Sequence, residues 1–464
     1  MNFTQMYTPG LAHCSYMMAG EKACVVVDPA RDVGQYVAQA RAWNQPITAI
    51  IETHLHADFV SGHLELARMT GATIYAPAAA NCEFAHRAMN DGEELTIDSF
   101  RIKMIETPGH TPEGACFVVS DLTRGPEPCL VFTGDTLLIG DVGRPDLFPD
   151  MKEQLATSLY QSLRKLEKLG DNVELYPAHG AGSLCGRALS AKLWSTVGNE
   201  RLYNYALSVH PLESFKHALL TGMPEAPDHF ARCSEINRRG PALVSDLATP
   251  RSLSPRQFAE LADEGHSVAD VRDQLAFAGA HIKGAYALSL KGNFATFAGW
   301  VLPPDKPLLL VLENEADLNA ALTGLRRVGL DNVVGFLAGG MTAWANAGMD
   351  TDSLESVSVP ELKRRLDAGA VHVIDTRLRS EYDAGHIEGS VLIAAPDARD
   401  EHPALKPERS LAVICNTGNR SVLAASLLRQ RGFKHVVNVI GGTTAWQAAD
   451  YPLTEPTEGA VAHD

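Results

Sequence analysis

The chain has 464 residues, enough at about 100 to 200 residues per domain for two to four domains that each bury a core. Apolar residues make up 45% and charged residues 21%, an ordinary globular balance that excludes a disordered or fibrous class. A formal net charge of -16 without any Lys/Arg-rich run disfavours nucleic acid and anionic membranes as partners, while small anions stay open because backbone dipoles act locally inside a pocket.

From Met1 to about Gly222 short apolar strands alternate with helices: ACVVVDP, TAIIETH, ATIYAP, FRIKMIETP and CLVFTGD. Several of these strands end in polar residues of functional type, the way a layered α/β sheet presents a site along one edge. No apolar run of about 18 residues and no basic start before an apolar stretch occurs, so neither a membrane span nor a signal peptide is expected, and a cytoplasmic location follows. Eight cysteines (Cys14, Cys24, Cys82, Cys116, Cys129, Cys185, Cys233, Cys415) are scattered without CxxC pairing, which argues against a disulfide framework and a structural zinc cluster.

A connector rich in Pro and polar residues, MPEAPDHF to GPALVSDLATP, places the first boundary near Leu243 and the first domain at residues 1–242. Beyond it the chain repeats itself. DVRDQLAFAGAHIKGA (Asp270 to Ala285) recurs as DTRLRSEYDAGHIEGS (Asp375 to Ser390) at an offset of 105, and VVGFLAGGMTAW and VVNVIGGTTAW end at Trp344 and Trp446, an offset of 102. Two similar α/β domains are therefore expected at 243–350 and 356–455, joined by MDTDSLESVSVPEL, with EPTEGAVAHD as a mobile acidic tail.

In the first domain THLHADF follows the strand TAIIE and sets His54, His56 and Asp58 on a strand-end loop. TPGH carries His110, LVFTGDTLL carries Asp135 and ELYPAHG carries His179 in the same context. This ordered set resembles the metallo-β-lactamase superfamily, which implies an αββα fold gathering these loops on one edge. Two-metal hydrolases of that superfamily, such as glyoxalase II, carry a second His after the Asp, giving HxHxDH. Phe59 stands there in this chain and cannot ligate. What remains resembles persulfide dioxygenases, and that resemblance implies one Fe(II) per chain held by His54, His110 and Asp135, the facial triad of non-haem oxygenases. It makes His56, Asp58 and His179 orienting residues, with direct ligation by His56 or Asp58 as the alternative. DVGRPDL also resembles that family, and Arg144 becomes a partner for an anionic thiol carrier such as glutathione persulfide, unless it is a plain Arg in a turn. After His179 the chain reads GAGSLCG, where the glutathione-type enzymes carry a Tyr, so the carrier stays open. Cys185 in this stretch either accepts and relays sulfane sulfur or is an inert buried thiol.

In the second repeat the strand LAVI runs into Cys415-Asn-Thr-Gly-Asn-Arg420-Ser421 and then the helix VLAASLLRQRG. This resembles the rhodanese active-site loop. Such a loop turns backbone N–H groups inward at a helix N-terminus and stabilises a thiolate and then a persulfide anion. Gly418 permits the curl, Arg420 and Ser421 face the substrate, and Asp375 and Arg377 stabilise the fold. The Trp-anchored offset puts Glu313 at the Cys position of the first repeat and Leu318 at that of Arg420, which makes that repeat inert as a spacer, docking surface or oligomer contact.

These resemblances imply that a thiol persulfide and dioxygen yield sulfite and thiol at iron, and that Cys415 forms or uses thiosulfate, a coupling suited to sulfide detoxification in which local sulfite feeds the second site. A homo-oligomer is expected. Two other classes compete: a zinc-dependent thioester hydrolase similar to glyoxalase II, and a sulfur carrier or scaffold in which only Cys415 matters.

Overall fold

The computed structural model describes residues 1–187, 189–223 and 226–454, so the acidic tail lies outside the described residues. Two compact units emerge, Met1–Leu247 with Thr323–Gly329, and Ala248–Leu322 with Leu330–Asp464; the second holds all of the second repeat and the first repeat apart from Thr323–Gly329 and its start up to Leu247.

The first unit is built on two six-stranded sheets. Asn2–Thr8, His13–Ala19, Cys24–Val27, Ile47–Ile51, Thr73–Pro77 and Arg87–Met89 lie in chain order across one sheet. The other runs Ser195–Thr196, Glu174–Pro177, Leu130–Gly134, Ala115–Asp121, Phe100–Glu106, Glu94–Ile97. Strand side chains alternate between faces, and here both faces are apolar because both are covered. Tyr16, Met18, Val25, Val27 and Ile51 meet Phe100, Ile102, Met104, Phe117 and Phe132 between the sheets. Their strand neighbours Met17, Val26 and Ile50 pack outward on Tyr36, Ala40 and Leu66, and Val118, Val131 and Leu175 pack on the helix Lys152–Leu166. That helix buries Leu155, Leu159, Leu163 and Leu166, the one-stripe spacing of an amphipathic helix. The result is the expected αββα sandwich, and Cys14, Cys24 and Cys116 are free thiols inside it, each pushed up to about 11 by burial.

The second unit holds two five-stranded parallel sheets of the same order. Arg251–Leu253, Val333–Leu337, Leu308–Val311, Ser267–Asp270 and Tyr286–Ala287 form one; Ser356–Val357, Val436–Val439, Leu411–Ile414, His372–Asp375 and Val391–Leu392 form the other. The repeat extends to single bonds. Arg272 forks onto Asp270 and reaches Ala280 O at 2.7 Å, as Arg377 forks onto Asp375 and reaches Gly385 O at 2.8 Å. Trp344 and Trp446 each donate Nε1–H to a carbonyl six residues on, Asp350 O and Pro452 O, both at 2.9 Å.

The strand ladders correct the position of the missing nucleophile. Asp270 pairs Val311 and Asp375 pairs Ile414, so the residue after the strand, aligned with Cys415, is Leu312 and not Glu313. By the same count Asp317, not Leu318, stands opposite Arg420. The cause is a bulge: Leu308 pairs Val333 but Leu309 pairs Gly335, an extra residue at Val334 that the uninterrupted pairing Leu411 to Val436 and Ala412 to Val437 lacks. An offset taken from the tryptophans therefore slips by one residue upstream of that bulge. Buried Leu312, with no thiol or ionisable group, takes the place of the nucleophile. Among the described residues no helix is long and apolar enough to cross a membrane.

Candidate functional site

The loop after Ile47–Ile51 is held from below by Asp28, at the end of the neighbouring strand. Its carboxylate accepts from Thr53 N at 2.7 Å and from Thr53 Oγ1 at 2.8 Å. Because that hydroxyl spends its proton on Asp28, it accepts from His54 Nδ1 at 2.9 Å. His110 Nδ1 likewise donates to Arg144 O at 2.9 Å. Both rings are thereby set with Nε2 bare. Burial and the neighbouring histidines lower the pKa of His54, and burial lowers that of His110, so both are neutral imidazoles.

These two Nε2 atoms are buried and have no hydrogen-bond partner among the described residues. They lie 3.9 and 3.4 Å from Asp135 Oδ2. Orphaned acceptors that converge on a carboxylate are costly unless something binds them, and a divalent cation fits that donor set. Burial alone would raise the Asp135 carboxyl, but His179, His110 and His54 hold it well below the usual carboxylate range. Close packing keeps the centre tight: a Cβ on Gly143 would come within 2.1 Å of Asp135 O and 2.8 Å of His110 Cγ.

His56, Asp58 and His179 sit around this triad and bring one ligand-type atom each within 4.8 Å of one another, with both His56 nitrogens and His179 Nε2 lacking a hydrogen-bond partner among the described residues. His179 Nδ1 lies 2.8 Å from Asp135 Oδ1 and its Nε2 2.9 Å from Asp58 Oδ2, and the two carboxylates outweigh burial to hold the ring well above its ordinary pKa. His56 Nε2 lies 3.2 Å from Asp28 Oδ1. Phe59 is fully buried, its ring 4.4 Å from that of His56 and 4.1 Å from that of His13. Cys185 offers its sulfur within 4.8 Å of ligand atoms of Asp135 and His179, and burial with Asp58 and Asp135 holds its thiol protonated. Arg144 is carried inside the fold at 1% exposure, forked onto Asp146 at 2.7 and 2.7 Å and donating to Leu184 O at 3.3 Å.

Two supports were invisible in the motif pattern. Asn237, on the helix His229–Arg239, donates Nδ2–H to His56 O and Phe59 O at 2.8 Å each and accepts from Ser61 N at 2.9 Å. Buried Glu113 accepts from Leu55 N at 3.0 Å. Neither stands out in the sequence, where Asn237 lies in CSEINRRG and Glu113 in GHTPEGA among other polar residues.

In the second unit Cys415 leaves Leu411–Ile414 at the sheet's carboxyl edge, 2% exposed. Gly418 N–H donates to its Sγ at 3.0 Å, and the Cys415 S–H lies 3.6 Å from Ser421 Oγ, which itself lies 2.7 Å from Asn438 Oδ1. Gly418 adopts φ +119°, a region open to glycine. Arg420 forks onto Glu381 at 2.6 and 2.8 Å, and Asn416 Nδ2 donates to the same carboxylate at 2.6 Å. Glu381, from the segment SEYDAGHI, is the residue that the motif reading passed over.

Comparison with known proteins follows these divisions. The pattern of the metallo-beta-lactamase superfamily matches residues 8–179, and that of the rhodanese-like domain matches 254–347 and 358–449. A hydroxyacylglutathione hydrolase of Shewanella halifaxensis (strain HAW-EB4) is 29% identical over 257 residues, 53% of this chain and 87% of that protein. One from Rhizobium johnstonii is 30% identical over 231 residues, 48% of this chain and 81% of that protein. The crystal structure of a metallo-beta-lactamase from Staphylococcus aureus subsp. aureus COL superposes with a TM-score of 0.65 at 29% identity, covering 73% of this chain and 98% of its own.

Proposed function

Because the chain belongs to the metallo-beta-lactamase superfamily and carries two rhodanese-like domains behind that module, we propose that it oxidises low-molecular-weight persulfides at one iron ion and moves sulfane sulfur at Cys415. The observation that carries this reading is the division of labour among the buried ligand-type residues. His54 and His110 converge through unpartnered Nε2 atoms on Asp135, while His179 sets its two nitrogens 2.8 and 2.9 Å from Asp135 and Asp58, and Phe59 fills the corner beside His56.

A bound ferrous ion would supply open positions for a persulfide sulfur and dioxygen, and the net reaction is RSSH + O2 + H2O giving RSH and sulfurous acid. The chain's own part is to hold the two imidazoles in one tautomer, through Thr53 and the Arg144 carbonyl. His179 keeps Asp135 ionised and turned toward them. Cys185 adds a soft thiol wall on the same side; loading it with sulfane sulfur requires a proton acceptor. Arg144 acts here by fixing the His110 loop. At Cys415 the thiolate attacks the outer sulfur of RSSH, RS⁻ leaves, and the Cys persulfide passes that sulfur to sulfite, giving thiosulfate and the free thiolate. The Gly418 N–H stabilises the anionic sulfur at each stage.

The hydrolase names of the curated relatives favour a second reading, zinc-dependent thioester hydrolysis. Anaerobic purification with metal analysis, followed by oxygen uptake on a panel of persulfides and hydrolysis of an acyl-thiol, separates the two. One iron per chain with persulfide-dependent oxygen uptake is expected. Two zincs per chain with acyl-thiol hydrolysis and no oxygen uptake would overturn the proposal.

A further inference from the structure

The helix Asn419–Gln430, whose first turn closes the Cys415 loop, is buried at every residue from Ser421 to Leu428. A helix lying on one sheet buries a stripe, so a second surface must cover this one. That surface is shared by the short helix Ala395–Arg399 of its own repeat and by Tyr286–Ala287 and Gln274–Gly279 of the repeat without a nucleophile. Ala287 N donates to Ser426 Oγ at 3.2 Å, Gln430 Nε2 donates to Gly284 O at 3.0 Å, and Arg429 forks onto Asp352 at 2.9 and 2.9 Å. At the other end of the helix Gln274 Nε2 donates to Thr417 O at 3.3 Å. Its Oε1 lies 2.4 Å from where a Cβ on Gly418 would stand, and is buried with no hydrogen-bond partner among the described residues.

Thr417 C=O and Gly418 N–H are the two ends of one planar peptide unit. The N–H end points at Cys415 Sγ at 3.0 Å, and the C=O end is the one Gln274 holds. A grip on the carbonyl orients the N–H, and hydrogen bonds at the two ends of a peptide polarise one another. The side chain is no general requirement of this fold: at the offset of 105 the second repeat carries Arg379, with its side chain 73% exposed.

We propose that Gln274 is a positioning residue of the Cys415 site, and that the repeat lacking a nucleophile is the outer wall of the active one. This rests on the reading of Cys415 as the sulfur carrier. The neutral amide also sets which acceptors enter, since a carboxylate at that point would face an anionic sulfur and repel sulfite.

The test uses the full chain with Gln274→Leu, Gln274→Glu and Asp352→Ala. The rate of Cys415 alkylation by iodoacetamide is followed by peptide mass. With a persulfide donor, kcat and KM are measured for sulfite and for a neutral thiol acceptor. Gln274→Leu is expected to slow alkylation and lower kcat by about three- to tenfold, the worth of one hydrogen bond. Gln274→Glu is expected in addition to raise KM for sulfite more than for the neutral thiol. Asp352→Ala, which loosens only the far end of the helix, is expected to leave alkylation unchanged. Wild-type alkylation rates in both Gln274 variants would overturn the proposal, as would an equal slowing in Asp352→Ala, because docking alone would then account for it. If the wild type transfers no sulfur at all, the reading of Cys415 fails, and the alkylation comparison still decides the role of Gln274.

Discussion

Replacing Asn237 tests whether the metal loop is held by long-range bonding. Its side chain, 2% exposed, makes three hydrogen bonds to the backbone of His56, Phe59 and Ser61, positions 176 to 181 residues away. A typical net contribution of about 0.5–1.5 kcal/mol per bond, with an added penalty for each buried group left unpaired, puts Asn237→Ala at about 2–5 kcal/mol of local destabilisation. Asn237→Asp is nearly isosteric, yet it sets a carboxylate oxygen against the two carbonyls that the amide served at 2.8 Å, so it should be at least as damaging. The loop then samples open states more often, and the His54 imidazole loses its fixed direction. Two readouts apply: iron affinity by chelator competition, expected to fall about 10- to 100-fold as for other residues that orient ligands, and hydrogen exchange at the Ser61 amide, expected to accelerate. Wild-type iron affinity with unchanged Ser61 exchange in a folded Asn237→Asp variant would refute the reasoning.

Cys415→Ser is expected to abolish transfer to sulfite while sparing oxygen uptake, so that sulfite replaces thiosulfate as the product; loss of oxygen uptake in the folded variant would contradict two separate sites. Phe59→His adds a further imidazole beside His56 and should raise zinc occupancy from one toward two ions per chain while depressing persulfide-dependent oxygen uptake. Unchanged stoichiometry by metal analysis would count against Phe59 as the residue that closes the second position. Glu381→Gln removes the charge to which Arg420 is forked and should lower sulfur transfer by about tenfold with oxygen uptake intact, as expected for a charge-assisted pair of about 1.5–3 kcal/mol reduced by partial exposure. Burial would raise the Glu381 carboxyl, but Arg420, the Leu378 N–H and Asn416 hold it below its ordinary value. The clamp is therefore whole at neutral pH and is lost as pH falls through that depressed value, so a transfer rate that already declines between pH 8 and 6 would not come from this pair.

Much of the architecture was legible because its signals are local. Continuous apolar strands ending in THLHADF, TPGH and TGD announce a sheet covered on both faces with a site at one edge, and the internal repeat needs only comparison of the chain with itself. The register of the first repeat was not legible. A bulge at Val334 adds one residue that no local pattern marks, and it moved the nucleophile position from Glu313 to Leu312. The behaviour of Arg144 and Arg420 was also closed to inspection, because an arginine in a motif reads as an anion site until its carboxylate, Asp146 or Glu381, is seen beside it.

By itself the sequence determined the residue types at the strand ends, the order of the three domains and the presence of one cysteine in a rhodanese-type loop, since each depends on neighbours within a few positions. Only the tertiary structure decided which histidine nitrogens converge on Asp135, that Asn237 grips the metal loop, and that Gln274 reaches the Cys415 loop from the other repeat. Tautomer, charge and orientation of a buried group are set by the atoms packed around it, and in this chain those atoms lie tens to hundreds of positions away.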